Sequence, residues 1–305
     1  MESLRRATDD AVRRATSLGE ETEPAWHPVA ASPTTRVATT GELRALCAEI
    51  GRAEWGDEAV SLARTGFRFT RGGDGGSWLG GTPCAGSFEW PRWNGAELAF
   101  LGRIALDGLP PCGLPGGGAL LVFFAVDRAP SGDRPADTGA CRVLHVDHAP
   151  LSDEPLYTGM PFVPVSPSGE LTLPAAPASI AVDIDELDAW TDLRERLAAA
   201  QGVELEETAA SYHALHRLLG HPDTYAEGME VDAERVSRGI DLDEEPFSDA
   251  AEDVSTATAD WTLLLQLSND DDLALDLGDA ARLFVWIRRD DLAASRFDAV
   301  QAFVR

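Results

Sequence analysis

The sequence predicts an α+β fold, with a mostly antiparallel sheet built from two similar β-rich halves and helices packed on it. The first observation behind this is an internal echo. Apolar segments 98–106 and 118–127 return 163 positions later, without a gap, as 261–269 and 281–290. Leu101 falls on Leu264, Leu120 on Leu283, Val122 on Val285, Asp127 on Asp290 and Arg103 on Gln266. A repeated strand pair implies two related units sharing a core. Second, helical patterns and a proline-rich run separate the two copies. Third, 305 residues with 44% hydrophobic side chains suffice for a large core. The offset spreads each copy around the long middle segment, so the halves are expected to form one domain.

The elements follow in order. Residues 1–58 read as a helical amino-terminal extension and linker. An amphipathic helix over 1–18 pairs Asp9 with Arg13 and Asp10 with Arg14 and carries the element RRAT twice, the linker occupies 20–40, and a helix over 40–50 is capped by Thr39 or Thr40. Residues 59–305 read as the β-rich domain, with a first half at about 59–150, a Pro-rich and helical middle at 151–225, and a second half at about 258–305. A strand is expected over 60–70. Seven prolines make 150–178 extended or irregular. A helix over 185–201 places Leu187, Trp190, Leu193 and Leu197 on one face. A second, capped by Thr208 and facing Tyr212, Leu215, Leu218 and Leu219 inward, is stopped by Gly220 and Pro222. An acidic stretch over 227–258 reads as mobile. A short helix near 290–296 and a strand at 297–304 close the chain.

Composition excludes several chemistries. All 25 basic residues are Arg. Without Lys there is no P-loop lysine, no Schiff-base lysine and no kinase strand lysine. Heavy Ala, Arg, Gly and Asp use without Lys points to a GC-rich bacterial genome. Net charge is −27, distributed as −4 over residues 1–150 and −23 over 151–305. Such a field repels a phosphate backbone, so no nucleic acid is expected, while a basic protein partner is favoured. Cys47, Cys84, Cys112 and Cys141 form no C-x-x-C pair, which predicts reduced, mostly buried thiols. No apolar run reaches membrane-spanning length and no secretion signal is evident, so a cytoplasmic location without membrane contact is expected.

Motifs for chemistry fall short of their geometric requirements. The glycine loops 72–81 and 113–118 read as turns, because Gly118 opens onto a strand rather than a phosphate-binding helix. Ser77 lacks the final glycine of a nucleophile elbow. His213 and His216 share a helical face but lack H-E-x-x-H, and no metal or cofactor is expected. Asp183/Asp185, Asp241/Asp243 and Asp270/Asp272 lack the sixth-position glycine of a calcium loop, so they read as solvated. Trp78, Phe88, Trp90 and Trp93, set among Pro83 and Pro91, form either a lid over the sheet or the wall of a pocket.

The run Gly80-Gly-Thr-Pro83, Trp90-Pro91, Phe100-Leu-Gly-Arg103, Gly118-Ala-Leu-Leu-Val-Phe-Phe124, His216-Arg-Leu-Leu-Gly-His-Pro222, Leu263-Leu-Leu-Gln266, Gly278-Asp279 and Asp291-Leu292…Phe297 resembles the YwqG-like family, an uncharacterised bacterial domain of unknown function. The resemblance covers roughly residues 60–304. It implies the fold and brings no activity with it. A link of some members to toxin–immunity loci is a hint. Arg103 stands where the family tends to have Gln, and Leu277 where it tends to have Trp.

Two functions emerge. One is a non-catalytic binding protein whose acidic surface receives a basic protein partner, as an immunity-type protein would. The other is a small-molecule-binding protein or enzyme with a site between the halves, near Trp90, Arg103, His216, Gln266 and Asp279. There Arg103 holds an anionic group, Gln266 hydrogen-bonds, and His216 or Asp279 acts as acid or base.

Overall fold

Thr39 opens the first helix. The computed structural model describes residues 37–73, 76–83, 88–147, 159–177, 179–180, 183–202, 216–223, 228–243, 260–279 and 281–305, all within one compact unit, Ser32–Arg305. The expected helix over 1–18 lies outside the described residues. The Thr39 hydroxyl accepts the Glu42 N–H at 3.2 Å and the Glu42 carboxylate accepts the Thr39 N–H at 2.8 Å, a capping box that starts α1 (Thr40–Glu49). A 3₁₀ turn (Ala53–Trp55) leads into α2 (Gly56–Leu62), so the strand expected from residue 60 begins only at Arg64. Asp183 caps α3 (Ile184–Ala200) by accepting the Glu186 N–H at 2.9 Å.

These helices bury Leu43, Cys47, Trp55, Ala59, Trp190, Leu193 and Leu197 together. Leu187, expected on that face, is 37% exposed. The Trp190 ring lies 6.0 Å from that of Trp55, and its indole N–H donates to the Pro174 carbonyl at 2.9 Å. Trp190→Phe removes that bond and part of the apolar area, an expected loss of about 1–2 kcal/mol. Urea unfolding checks it: an unchanged midpoint would mean that the indole adds nothing to this cluster.

The strands are β1 (Arg64–Arg71), β2 (Ser77–Leu79), β3 (Arg92–Trp93), β4 (Ala96–Glu97), β5 (Ala99–Ala105), β6 (Ala119–Phe124), β7 (Cys141–Val146), β8 (Val163–Thr172), β9 (Arg217–Leu219), β10 (Trp261–Ser268), β11 (Arg282–Arg288) and β12 (Gln301–Val304). β3 and β4 form a small hairpin; the rest make one ten-stranded antiparallel sheet in the order β12-β11-β10-β9-β1-β8-β2-β5-β6-β7. Its inner face carries the largest core, including Phe67, Ile104, Val122, Val143, Leu218, Leu265, Leu283 and Val285. The sheet is nearly closed. Beside β7, Arg142 donates to the Asp298 carbonyl at 3.4 Å and the His145 ring lies 5.9 Å from Phe297, in the turn that leads into β12.

The two repeated strand pairs have matching registers. Phe100 pairs Phe123 and Gly102 pairs Val122; in the other pair Leu263 pairs Trp286 and Leu265 pairs Val285. Both ladders slip at the same step, skipping Leu101 in one and Leu264 in the other, and both bulge residues reach the inner core. The flanking strands match too. Trp78 pairs Arg103 as Arg217 pairs Gln266, and each short strand ends on two left-handed residues, Gly80-Gly81 (φ 65°, 61°) and Leu219-Gly220 (φ 58°, 81°).

The helix expected up to Leu219 is corrected. Residues 203–215 lie outside the described set, and Arg217–Leu219 is strand, with Leu218 paired to Phe67 on one side and Leu265 on the other. Two ladders outweigh the local helical pattern there. Gly220 therefore ends a strand. The acidic 227–258 stretch contains an ordered helix, α4 (Met229–Ser237), whose Met229, Ala233 and Val236 pack on Trp261, Phe284 and Phe303 on the outer face. The closing elements are α5 (Arg289–Ala293), a 3₁₀ turn (Phe297–Ala299) and β12. Cys47 and Cys141 are buried free thiols and Cys112 is half-buried; burial pushes the Cys141 thiol up to about 12.

Candidate functional site

The outer face of the central strands is polar. Arg68 on β1 stands across from Arg217 on β9, and Arg217 across from Gln266 on β10. Residues opposite one another in antiparallel strands share a face. Glu170 on β8 lies across from Gly66, one step along β1 on that face. Arg194, Leu197 and Ala198 of α3, with its C-cap Gln201, roof this stripe, and His221, Pro222 and Asp223 wall it, bordering a small cleft open to solvent at its mouth.

Local sequence explains each placement. Gly66 leaves room for the Arg217 side chain, since a Cβ there would lie 3.3 Å from Arg217 Cδ and 3.1 Å from the Leu219 carbonyl. The left-handed Leu219-Gly220 turn folds the chain back, so that the His221 N–H donates to Thr172 Oγ1 at 2.9 Å and the Asp223 N–H to Gln266 Oε1 at 2.8 Å. A non-glycine residue in that conformation stores backbone strain. Gln201, 2% exposed, ties α3 to β8. Its Oε1 accepts the Leu171 and Ala38 N–H groups at 2.6 and 3.1 Å, and its Nε2 donates to the Leu171 carbonyl at 3.0 Å.

Glu170, 2% exposed, accepts from Arg217 Nε on one oxygen and from Arg68 Nε on the other at 3.0 Å. Burial alone would push its carboxyl up; the charges and hydrogen bonds of Arg217 and Arg68 more than reverse this and hold it below the usual carboxylate range. Arg217 also donates to the His221 carbonyl at 2.9 Å. Asp223 lies 3.9 Å from both Arg194 and Arg282. Burial, then the Arg64 charge, pushes His221 down to about 3, against the pull of the Leu62 carbonyl 2.7 Å from its Nε2. His221 is therefore neutral, with the proton assigned to Nε2 and an acceptor lone pair on Nδ1. Behind it, Arg64 Nη1 is enclosed without a hydrogen-bond partner, and burial followed by Arg289 lowers the Arg64 pKa. Among the described residues, Arg68, Arg194, Arg217 and Arg282 thus meet Glu170 and Asp223, a positive excess within a chain of net charge −27.

Comparison with known proteins bears on the fold and not on this chemistry. A family model described as a domain of unknown function, DUF1963, matches residues 77–304. The chain belongs to this family. YwqG-like is another name for it, so the resemblance in the motifs holds. No curated protein matches the chain. The DUF1963 span begins at the first residue of β2. Glu170, Arg194, Arg217, His221, Asp223, Gln266 and Arg282 fall inside it, whereas Arg64, Gly66 and Arg68 precede it.

In this DUF1963 member the five residues singled out from sequence are spread out. Gln266 lies beside the cleft. Arg103 shares its outer face, but β2, β8, β1 and β9 stand between their strands. The Arg103 guanidinium lies 5.1 Å over the Trp78 ring and donates to the Gly76 carbonyl. The Trp90 indole donates to the Leu98 carbonyl at 2.9 Å and meets Phe123 edge-on at 5.3 Å. With Phe88 and Trp93 it packs over Trp78 of β2, Phe100, Leu121 and Phe123, the lid arrangement. His216 uses both ring nitrogens: Nε2 donates to Asp270 at 2.8 Å and Nδ1 accepts the Ser268 N–H at 3.3 Å. Asp270, expected to be solvated, is 3% exposed and also receives Arg71 at 2.6 Å. Asp279 is exposed. Leu277, standing where the family tends to have Trp, is buried.

Among the described residues, no three His, Cys, Asp or Glu side chains gather as metal ligands, and no helix is long and apolar enough to cross a membrane. Sequence reasoning missed Arg68, Glu170, Arg194 and Arg217, and gave His221 only a structural role. Arg217 and His221 lay within the quoted His216–Pro222 motif, read there as a helix end.

Proposed function

We propose that this chain is a binding protein whose cleft accepts a small anionic molecule bearing a carboxylate or phosphate. The observation that carries this reading is the convergence of Arg68, Arg194 and Arg217 on one roofed cleft around a single doubly bridged carboxylate, Glu170. Guanidinium groups bind such anions through paired, charge-assisted hydrogen bonds. An ionised Glu170 and a neutral His221 suit recognition better than proton transfer at neutral pH. The cleft lies over the central β8–β1–β9–β10 strands, which fits a site between two halves. The matched registers and bulges support descent of those halves from one duplicated unit.

That correspondence also supplies a control. Phe67 pairs Leu218 as Val163 pairs Leu79, so Gly66 corresponds to Phe162, and Arg217 corresponds to Trp78. Phe162 and Trp78 meet there as tilted rings with centroids 5.7 Å apart. Calorimetric titration with inorganic phosphate and with citrate tests the reading. Gly66→Phe, which displaces Arg217, and Arg194→Ala, on the roof, are each expected to weaken binding about tenfold or more, the value of one charge-assisted hydrogen bond. Binding of both anions unchanged in two folded variants would remove the cleft from consideration.

A second reading retains the basic partner of an immunity-type protein. Its support is the exposed carboxylate series Asp271, Asp272, Asp276 and Asp279 between β10 and β11, together with the net charge of −27.

A further inference from the structure

We propose that a groove beside the β3–β4 hairpin receives an arginine side chain of a basic partner, an inference that rests on the second reading and is independent of the cleft. The shallow groove is lined by Trp93, Glu97, Leu98, Ala125, Asp127 and Arg128. Its counterpart in the other strand pair, 163 residues on, is filled. Leu98 corresponds there to Trp261 and Ala125 to Arg288. The Arg288 guanidinium lies 4.5 Å over the Trp261 ring, and Glu234 from α4 closes the arrangement, 2.5 Å from Arg288 Nη2 and 2.9 Å from the Trp261 indole nitrogen.

Leu and Ala in place of that Trp and Arg open the space, while its chemistry persists around the rim. Trp93 offers an aromatic face, Asp127 offers a carboxylate beside that of Glu97, which Arg92 holds at 2.5 Å, and the cation over the ring is the chain's own Arg128, 5.7 Å from the centroid. Arg128 is exposed, as is Asp127. An indole face bordered by carboxylates matches a planar guanidinium, which stacks and hydrogen-bonds in ways an ammonium does not. The incoming arginine replaces Arg128 over Trp93.

The test titrates the full chain with a capped Gly-Arg-Gly-Arg-Gly peptide and its Lys counterpart, at low and high salt. The Arg peptide is expected to bind several-fold more tightly. Trp93→Ala is expected to weaken it about tenfold, as loss of a desolvated cation–π contact would. Arg128→Ala is expected to tighten it several-fold by removing the resident cation. Arg196→Ala, the same charge change at an exposed pair with Asp192, should leave affinity within about twofold, since a lone surface charge is worth little. Salt-sensitive binding that ignores both the Trp93 substitution and the Arg/Lys exchange overturns the groove but keeps the acidic-surface reading. Equal tightening by Arg128→Ala and Arg196→Ala also overturns the groove. Absence of binding at low salt overturns both.

Discussion

Glu170→Ala is expected to lower folding stability by about 3–5 kcal/mol, the range for removing one partner of a buried ion cluster. The carboxylate is 2% exposed and bridges Arg68 and Arg217, whose side chains are 13% and 8% exposed. Its loss leaves two guanidinium groups facing each other across paired strands with little water to screen them. Glu170→Gln separates charge from shape, since it keeps the volume but offers one acceptor oxygen and no charge. It should lie between wild type and the alanine variant in urea unfolding. Added phosphate should restore part of the stability of Glu170→Ala by occupying the vacated position between the arginines. A loss below about 1 kcal/mol, as exposed pairs give, would mean that the cluster relaxes into solvent.

Much of the sheet was legible in the sequence because apolar strand segments repeat at a fixed offset. Residues matched by that offset, such as Val122 and Val285, occupy matching ladder positions, opposite Gly102 and Leu265. Even the skipped residues Leu101 and Leu264 correspond. Misreadings occurred where tertiary pairing overrides local pattern. Arg217–Leu219 carries a helical spacing of leucines but is held extended by strands on both sides.

The site was less legible for a related reason. In a strand, Arg68 between Phe67 and Phe69 reads as the solvated side of an alternating pattern. Nothing local signals that α3, more than a hundred residues later, covers that face. The buried partner Glu170 sits in a proline-rich stretch whose pairing with β1 is likewise non-local. Conversely, His216 and Arg103 are residue types that suggest chemistry, yet His216 has both nitrogens engaged by Asp270 and Ser268, and Arg103 stacks on Trp78. A single sequence shows which side chains are capable of chemistry. The register decides which of them meet.

Acid should destabilise the protein before the depressed carboxylates of Glu170, Asp270 and Glu234 lose their charge. His221 falls from an ordinary 6.5 to about 3 in the folded chain, through burial first and then the charges of Arg64, Arg217 and Arg194. His216 is also lowered, burial outweighing its bond to Asp270 while Arg71 adds to the depression. For both, the unfolded chain binds a proton that the folded chain refuses. Their contribution is complete above the unfolded pKa and is lost as pH falls towards the folded value. His221 therefore removes roughly 1.4 kcal/mol per pH unit as pH drops below about 6.5, and His216 acts in the same direction. The depressed carboxyls of Glu170, Asp270 and Glu234 stabilise the fold above the ordinary carboxylate range and lose that contribution only as pH falls below it, so the two effects separate on the pH axis. Urea midpoints measured between neutral pH and about pH 4.5 should fall steadily. His221→Gln keeps an N–H for the Leu62 carbonyl but cannot titrate, and it should lower the slope by roughly 1.4 kcal/mol per pH unit. An unchanged slope would assign the acid sensitivity elsewhere and remove the argument that His221 is held neutral beside the cleft.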